Sequence, residues 1–145
     1  MPIMEIRLAM SRDDDFVQHC ILEAYREFPR LSARGGDTLE RAASADLERV
    51  AAGFAHVANL DGRDVAAAWW APEANPDDLT VAYFVEPDAR NHGVATALLE
   101  RGLEEARRRG CHGVTIKTHP DNAASVALGR KLGFQPVVTL LRRML

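Results

Sequence analysis

The stretch Thr80–Ala97, TVAYFVEPDARNHGVATA, constrains the fold of this chain more than any other. It opens as an apolar strand, Val81-Ala82-Tyr83-Phe84-Val85, and Pro87 stops it because proline cannot continue a sheet ladder. Polar residues follow through Arg90-Asn91-His92, and Gly93 then opens an amphipathic helix. Ala95, Leu98, Leu99, Gly102, Leu103 and Ala106 recur at the spacing of one buried helical stripe, with Glu100, Arg101, Glu104, Glu105, Arg107 and Arg108 on the wet side. A strand running into a glycine-opened helix leaves the first backbone N–H groups unpaired, with the positive end of the helix dipole behind them. Such an end binds phosphate or pyrophosphate. Gly93 lets a ligand approach the backbone closely, and Arg90 stands at the rim as an added positive charge. The same residues also suit a plain turn with a solvated arginine. The glycines of a dinucleotide fingerprint and the Gly-Lys-Ser/Thr ending of a phosphate loop are both missing.

At 145 residues the chain is expected to form a single domain, 1–145, with a real core. A formal charge of −3 argues against a nucleic-acid partner, which calls for a basic face. No apolar run approaches a membrane span, and MPIMEIRLAM lacks the basic start and long apolar core of a signal peptide. Cys20 and Cys111 form no metal or disulfide spacing, so a reducing cytoplasmic compartment is expected. The five histidines are scattered singly and imply no metal.

Periodicity predicts the remaining elements. Residues 3–9 alternate as a first strand, β1. Ser11 is the expected cap of α1, whose first turn is acidic (Asp13-Asp14-Asp15), whose stripe is Val17, Cys20, Ile21, Ala24, Tyr25 and Phe28, and which Pro29 ends. Asp37 with Glu40 reads as the capping pair of α2, which faces inward through Leu39, Ala42, Ala43, Leu47 and Val50. FAHVANL (54–60, β2) and VAAAWWA (65–71, β3) form a hairpin around Asp61-Gly62. Adjacent Trp69 and Trp70 must point to opposite faces of β3, one into the core and the other either lining a pocket or covering the sheet. After β4 (81–85) and α3 (93–109), Val114–Lys117 is β5, so β4-α3-β5 is a parallel crossover. Asn122–Leu132 is α4, closed by Gly133, and Val137–Arg143 is expected as a last strand, β6, antiparallel to β5. The predicted fold is α/β, a mixed sheet in the order β1-α1-α2-β2-β3-β4-α3-β5-α4-β6. The free edge of β6 would expose Val138, Leu140, Leu141 and Met144, to be covered by the edge charges Arg142 and Arg143 or by a second subunit in a homodimer.

Arg90-Asn91-His92-Gly93-Val94-Ala95 resembles the R/Q-x-x-G-x-G/A motif of the GNAT superfamily of acyl-CoA-dependent N-acyltransferases. Asn122, followed by Leu128-Gly-Arg-Lys131-Leu132-Gly133-Phe134, resembles that family's second signature, and the element order agrees along essentially the whole chain. The resemblance implies a GNAT-like fold, acetyl-CoA as donor and an amine as acceptor. It implies that pyrophosphate sits on the amides of His92, Gly93, Val94, Ala95, Thr96 and Ala97, with Arg90 and Asn91 leading in. It further implies that the pantetheine arm bonds the backbone of Phe84, Val85 and Glu86, with Asn122 and Ser125 near its end.

The chain departs from that pattern in two places. The usual tyrosine that protonates the leaving thiolate is replaced by Gly129, and a glutamate base used by some members is replaced by Lys117. Glu86 and His119 are the base candidates left, although Glu86 reads more readily as a solvated strand-end charge and His119 as a loop residue. The expected mechanism is direct attack of the amine on the thioester. A silent acyl-CoA-binding member, a tRNA-directed member and an interaction module without CoA affinity are the competing readings. Tyr25, Phe28, Arg30, Arg34, Trp70, Glu73, Asp77 and Asp78 are the expected acceptor lining, which names no acceptor.

Overall fold

In the computed structural model, which describes residues 2–27, 38–73, 75, 77–118, 121–138, 141, 143 and 145, the chain begins with β1 (Met4–Leu8), a 3-10 turn (Ser11–Asp13) and α1 (Asp14–Glu27). It continues through α2 (Leu39–Val50), β2 (Phe54–Leu60), β3 (Arg63–Pro72) and β4 (Asp78–Val85). A second 3-10 turn (Pro87–Ala89), α3 (Val94–Arg108), β5 (Gly113–Ile116) and α4 (Ala123–Lys131) complete it. One sheet runs in the order β1-β2-β3-β4-β5, antiparallel as far as β4 and parallel between β4 and β5. Asp61 and Gly62 turn the β2–β3 hairpin with φ of 52° and 88°, the left-handed pair that matches strand twist.

Period-two alternation divides the sheet into two cores. Phe54, Ala58, Ala66, Ala68, Trp70, Val81 and Val85 pack under α3, while Ala55, Val57, Ala67, Trp69 and Phe84 pack under α1 and α2. Both tryptophans are therefore core. Trp70 is wholly buried, which removes it from the acceptor lining. Gly102 is the reason α3 fits over it, since a Cβ built there lies 1.9 Å from Trp70 Cζ2.

Local chemistry shifts two helix starts. Ser11 opens the 3-10 turn instead of capping α1, because the Asp13 carboxylate is the stronger acceptor and takes the Met10 N–H at 3.0 Å and the Arg7 guanidinium at 2.8 Å. Arg7 also binds Asp64 with both Nη atoms at 2.9 Å, which ties β1 to β3 and holds both carboxyls below the usual range. Thr38 caps α2, accepting the Arg41 N–H at 3.1 Å; Asp37, Phe28 and Pro29 lie outside the described residues.

Among the described residues the expected β6 is not seen. Residues 134–138, 141 and 143 belong to no strand, and Val137, Val138 and Leu141 are 81%, 72% and 92% exposed. The doublets Val137-Val138 and Leu140-Leu141 break the alternation that would give one buried face, Pro136 supplies no N–H, and β5 offers a partner only four residues long. The homodimer expected through that edge loses its support.

Gly102→Ala is expected to destabilise the chain by about 2 kcal/mol or more, because rigid Trp70 cannot step aside; urea unfolding at wild-type stability would contradict this. His56 gives a second prediction. It is buried under α3, edge-on to Phe54 at 5.6 Å, and burial lowers its pKa from 6.5 to about 4. The unfolded chain takes up that proton near the ordinary value and the native chain only near the lowered one. Stability present above pH 6.5 should therefore fall through the window down to about 4, by on the order of 3 kcal/mol. His56→Leu should flatten that part of the profile; an unchanged slope would contradict it.

Candidate functional site

Two strands that part company build the site. The β4–β5 ladder runs from Asp78↔Gly113 to Val81↔Ile116 and stops, whereas β4 stays paired with β3 as far as Val85↔Ala66. Among the described residues, Ala82–Val85 therefore has no strand on its β5 side. The Glu86 N–H donates to Val65 O at 2.8 Å, toward β3. By alternation Phe84 also turns to β3, and the peptide groups of Tyr83 and Val85 face the gap. Sequence reasoning named Phe84, Val85 and Glu86 and missed Tyr83, whose direction is legible only once the register is known.

The loop beyond β4 leads into α3. Asn91 (φ 67°) and Gly93 (φ 77°) are both left-handed, which brings the chain round so that Gly93 is the N-cap of α3. The first intrahelical bond runs from Ala97 N–H to Gly93 O at 3.1 Å, so the N–H groups of Val94, Ala95 and Thr96 precede it. α1 has Asp14 and Asp15 in its first turn, α2 has Glu40 and the Thr38 cap, and α4 has the Asn122 cap. α3 has neither an acid nor a side-chain cap. Asn91, His92 and Gly93 are exposed, and a Cβ on Gly93 would meet nothing within 4 Å. This is an open, uncompensated positive helix end, into which an anionic pyrophosphate fits.

Arg90 does not project into that space. Its Nε donates to Val85 O at 2.9 Å, its two Nη atoms bind both Glu27 oxygens at 2.9 and 2.6 Å, and its guanidinium lies 5.4 Å over the Phe84 ring. It ties the α3 loop to α1, and its charge is matched by Glu27. Asn122 spends its side-chain oxygen on the Ser125 N–H at 3.2 Å. Ser125 is buried near the Tyr83 phenol, whose pKa burial raises. Gly129 lies one turn further on, 3.8 to 3.9 Å from Phe134 and Ile116 by its Cβ position. Lys117 Nζ lies 3.3 Å from Glu73, which Thr80 also bonds.

Glu86 stands where β4 ends, and its Oε1 lies 2.7 Å from Nε2 of His19 on α1. His19 was missed by sequence reasoning, since α1 and β4 are 67 residues apart and no local pattern joins them. His119, the other base candidate, and the lining residues Phe28, Arg30 and Arg34 lie outside the described residues. Cys20 is fully buried, and burial pushes its thiol up, away from thiolate chemistry. Among the described residues no three His, Cys, Asp or Glu side chains gather as metal ligands would, and no helix is long and apolar enough to cross a membrane.

The Acetyltransferase (GNAT) family model matches residues 17–134. Mycothiol acetyltransferase of Saccharomonospora viridis is 36% identical over 95 residues, 60% of this chain and 31% of that protein. The chain thus spans about a third of that relative's length. The ribosomal-protein-alanine N-acetyltransferase structure of Brucella melitensis superposes with a TM-score of 0.73 at 27% identity, covering 90% of this chain and 84% of that one. A GNAT-family acetyltransferase of Brucella melitensis solved with acetyl-CoA has a TM-score of 0.69 at 19% identity, over 92% and 84% of the two chains, which speaks for the fold alone.

Proposed function

The chain belongs to the GNAT acetyltransferase family, and on that premise we propose that it transfers an acetyl group from acetyl-CoA to a primary amine of a small molecule or peptide by direct attack. The observation that carries this reading is the start of α3, the one described helix whose first turn has neither acid nor cap. Amides left free there are satisfied by a bound anion. Bound acetyl-CoA supplies the activated thioester. The amides from His92 to Thr96 hold its pyrophosphate, while the Ala97 N–H, expected from sequence to join them, is spent on Gly93 O, and Gly93 keeps the approach clear. The outward peptide groups of Tyr83 and the Val85 N–H take the pantetheine arm as a further strand would, the Val85 carbonyl being held by Arg90, with Asn122 and Ser125 flanking the gap. Glu86, on the α1 side of the strand end, removes the proton from the acceptor ammonium. A thiolate leaves readily, so the want of a tyrosine at Gly129 does not block turnover; acid–base help of this kind typically supplies about two to four powers of ten.

The test pairs calorimetry with free-thiol release on spermidine, glucosamine and an alanyl tripeptide as three classes of amine. Saturable acetyl-CoA binding with amine-dependent thiol release is expected. Binding without release from any amine would reduce the chain to a CoA-binding protein, and no binding would overturn the reading. Gly93→Val sets a β-branched side chain at a left-handed φ of 77°, so it should cost about 1–3 kcal/mol of stability although its Cβ meets open space, and the variant that remains folded should lose acetyl-CoA affinity about tenfold or more. Unchanged affinity in a folded variant would remove the phosphate cradle.

A further inference from the structure

Around the C-terminal end of β4 the carboxylates have different partners. Glu27 binds Arg90 at 2.6 Å, Glu23 binds Arg26 at 2.5 Å, Asp64 binds Arg7 at 2.9 Å and Asp88 binds Arg63 at 2.9 Å. On α2, Asp46 binds Arg49 and Tyr25, and Glu40 lies 3.9 Å from Arg26. Asp15, one turn before His19 on α1, is exposed. An arginine is permanently charged, so a carboxylate held by one is a weak proton acceptor. Glu86 differs. Its partner is the imidazole of His19, at 2.7 Å, which carries no charge in its neutral form. Among the described residues no other side chain bonds Glu86.

Both members of the pair are held from behind. Glu86 is locked at the strand end, its N–H on Val65 O at 2.8 Å and its carbonyl receiving the Ala89 N–H at 2.9 Å. His19 is flanked on α1 by buried Cys20, and the Phe16 ring lies 6.0 Å from its own. The side chains remain accessible, His19 46% and Glu86 25% exposed. The carboxylate thus has one oxygen fixed, one oxygen open and an outlet to water.

Resting on the transferase reading above, we infer that His19 is a positioning residue for proton removal: its Nε2–H holds Oε1 of Glu86 and leaves Oε2 to take the proton of the acceptor ammonium. The neutral amine then forms a C–N bond at the thioester carbon while the C–S bond breaks. The second amine proton ends on the departing sulfur, and the proton on Oε2 is released to water. A neutral hydrogen-bond donor orients the base without cancelling its charge, which an arginine in the same place would do.

His19→Leu removes the donor and His19→Gln keeps one. In thiol-release assays with acetyl-CoA and the three amines, His19→Leu is expected to lower kcat about tenfold or more, with KM for acetyl-CoA unchanged. His19→Gln should recover most of that loss. Long-range nitrogen–proton NMR on the intact chain should show the Nε2–H tautomer at His19, and Glu86→Leu, which removes the acceptor, should weaken the preference. A folded His19→Leu with wild-type kcat, a His19→Gln no better than His19→Leu, or an Nδ1–H tautomer in the wild type would each overturn the role of His19 alone. A wild-type chain that neither binds acetyl-CoA in calorimetry nor releases thiol would overturn the transferase reading, and this role with it.

Discussion

The unequal pairing of β4 is the constraint on which the rest of the structure depends. Eight residues long, it is paired with β3 as far as Val85 but with β5 only from Asp78 to Val81. An unsatisfied backbone edge is costly when buried and hazardous when exposed. Here Arg90 takes the Val85 carbonyl, and among the described residues no group bonds the remaining outward peptide groups of Tyr83 and Val85. Strand and helix thus leave their spare hydrogen-bonding groups in one place. The β3 side stays rigid because Ala66, Ala67 and Ala68 are wholly buried and let both helix layers close on the sheet.

Charge placement follows the same logic. α1 and α2 carry acids in their first turns, matching the helix dipole with the chain's own residues. α3 forgoes that match. Its nearby arginine is turned away by Glu27, so the positive field at its N-terminus comes from peptide dipoles rather than from a side chain. A fixed dipole needs no reorganisation when an anion arrives, and it leaves the side chains of the loop free to vary.

Much of this was legible in the sequence, for reasons that are local. The Asp61-Gly62 hairpin, the amphipathic stripe of α3 and the β4-α3-β5 crossover are written in turn residues and periodicity. Helix caps were less legible, because Ser11 and Asp13 compete within three residues and the winner is decided by Arg7, a neighbour in space. Reading Trp70 as a pocket residue failed because nothing in VAAAWWA says that both faces of β3 are covered. The last strand failed on an overvalued run of apolar residues whose doublets give no consistent face. His19 is the sharpest case, since a residue on α1 acquires meaning only when β4 is laid against it.

Alternation along β4 also separates two chemical tasks. Tyr83 and Val85 pack with the α3 core and turn their peptide groups to the gap, while Phe84 packs with the α1 core and Glu86 meets His19 on that side. On the proposed reading the donor would be gripped mainly by main-chain groups, which any sequence supplies once the strands diverge. Proton removal, by contrast, falls to side chains that a single substitution can alter. That division explains why the phosphate end of the site follows a recognisable motif while the general acid and base do not: the first depends on backbone shape, and the second on which side chains two distant elements bring together.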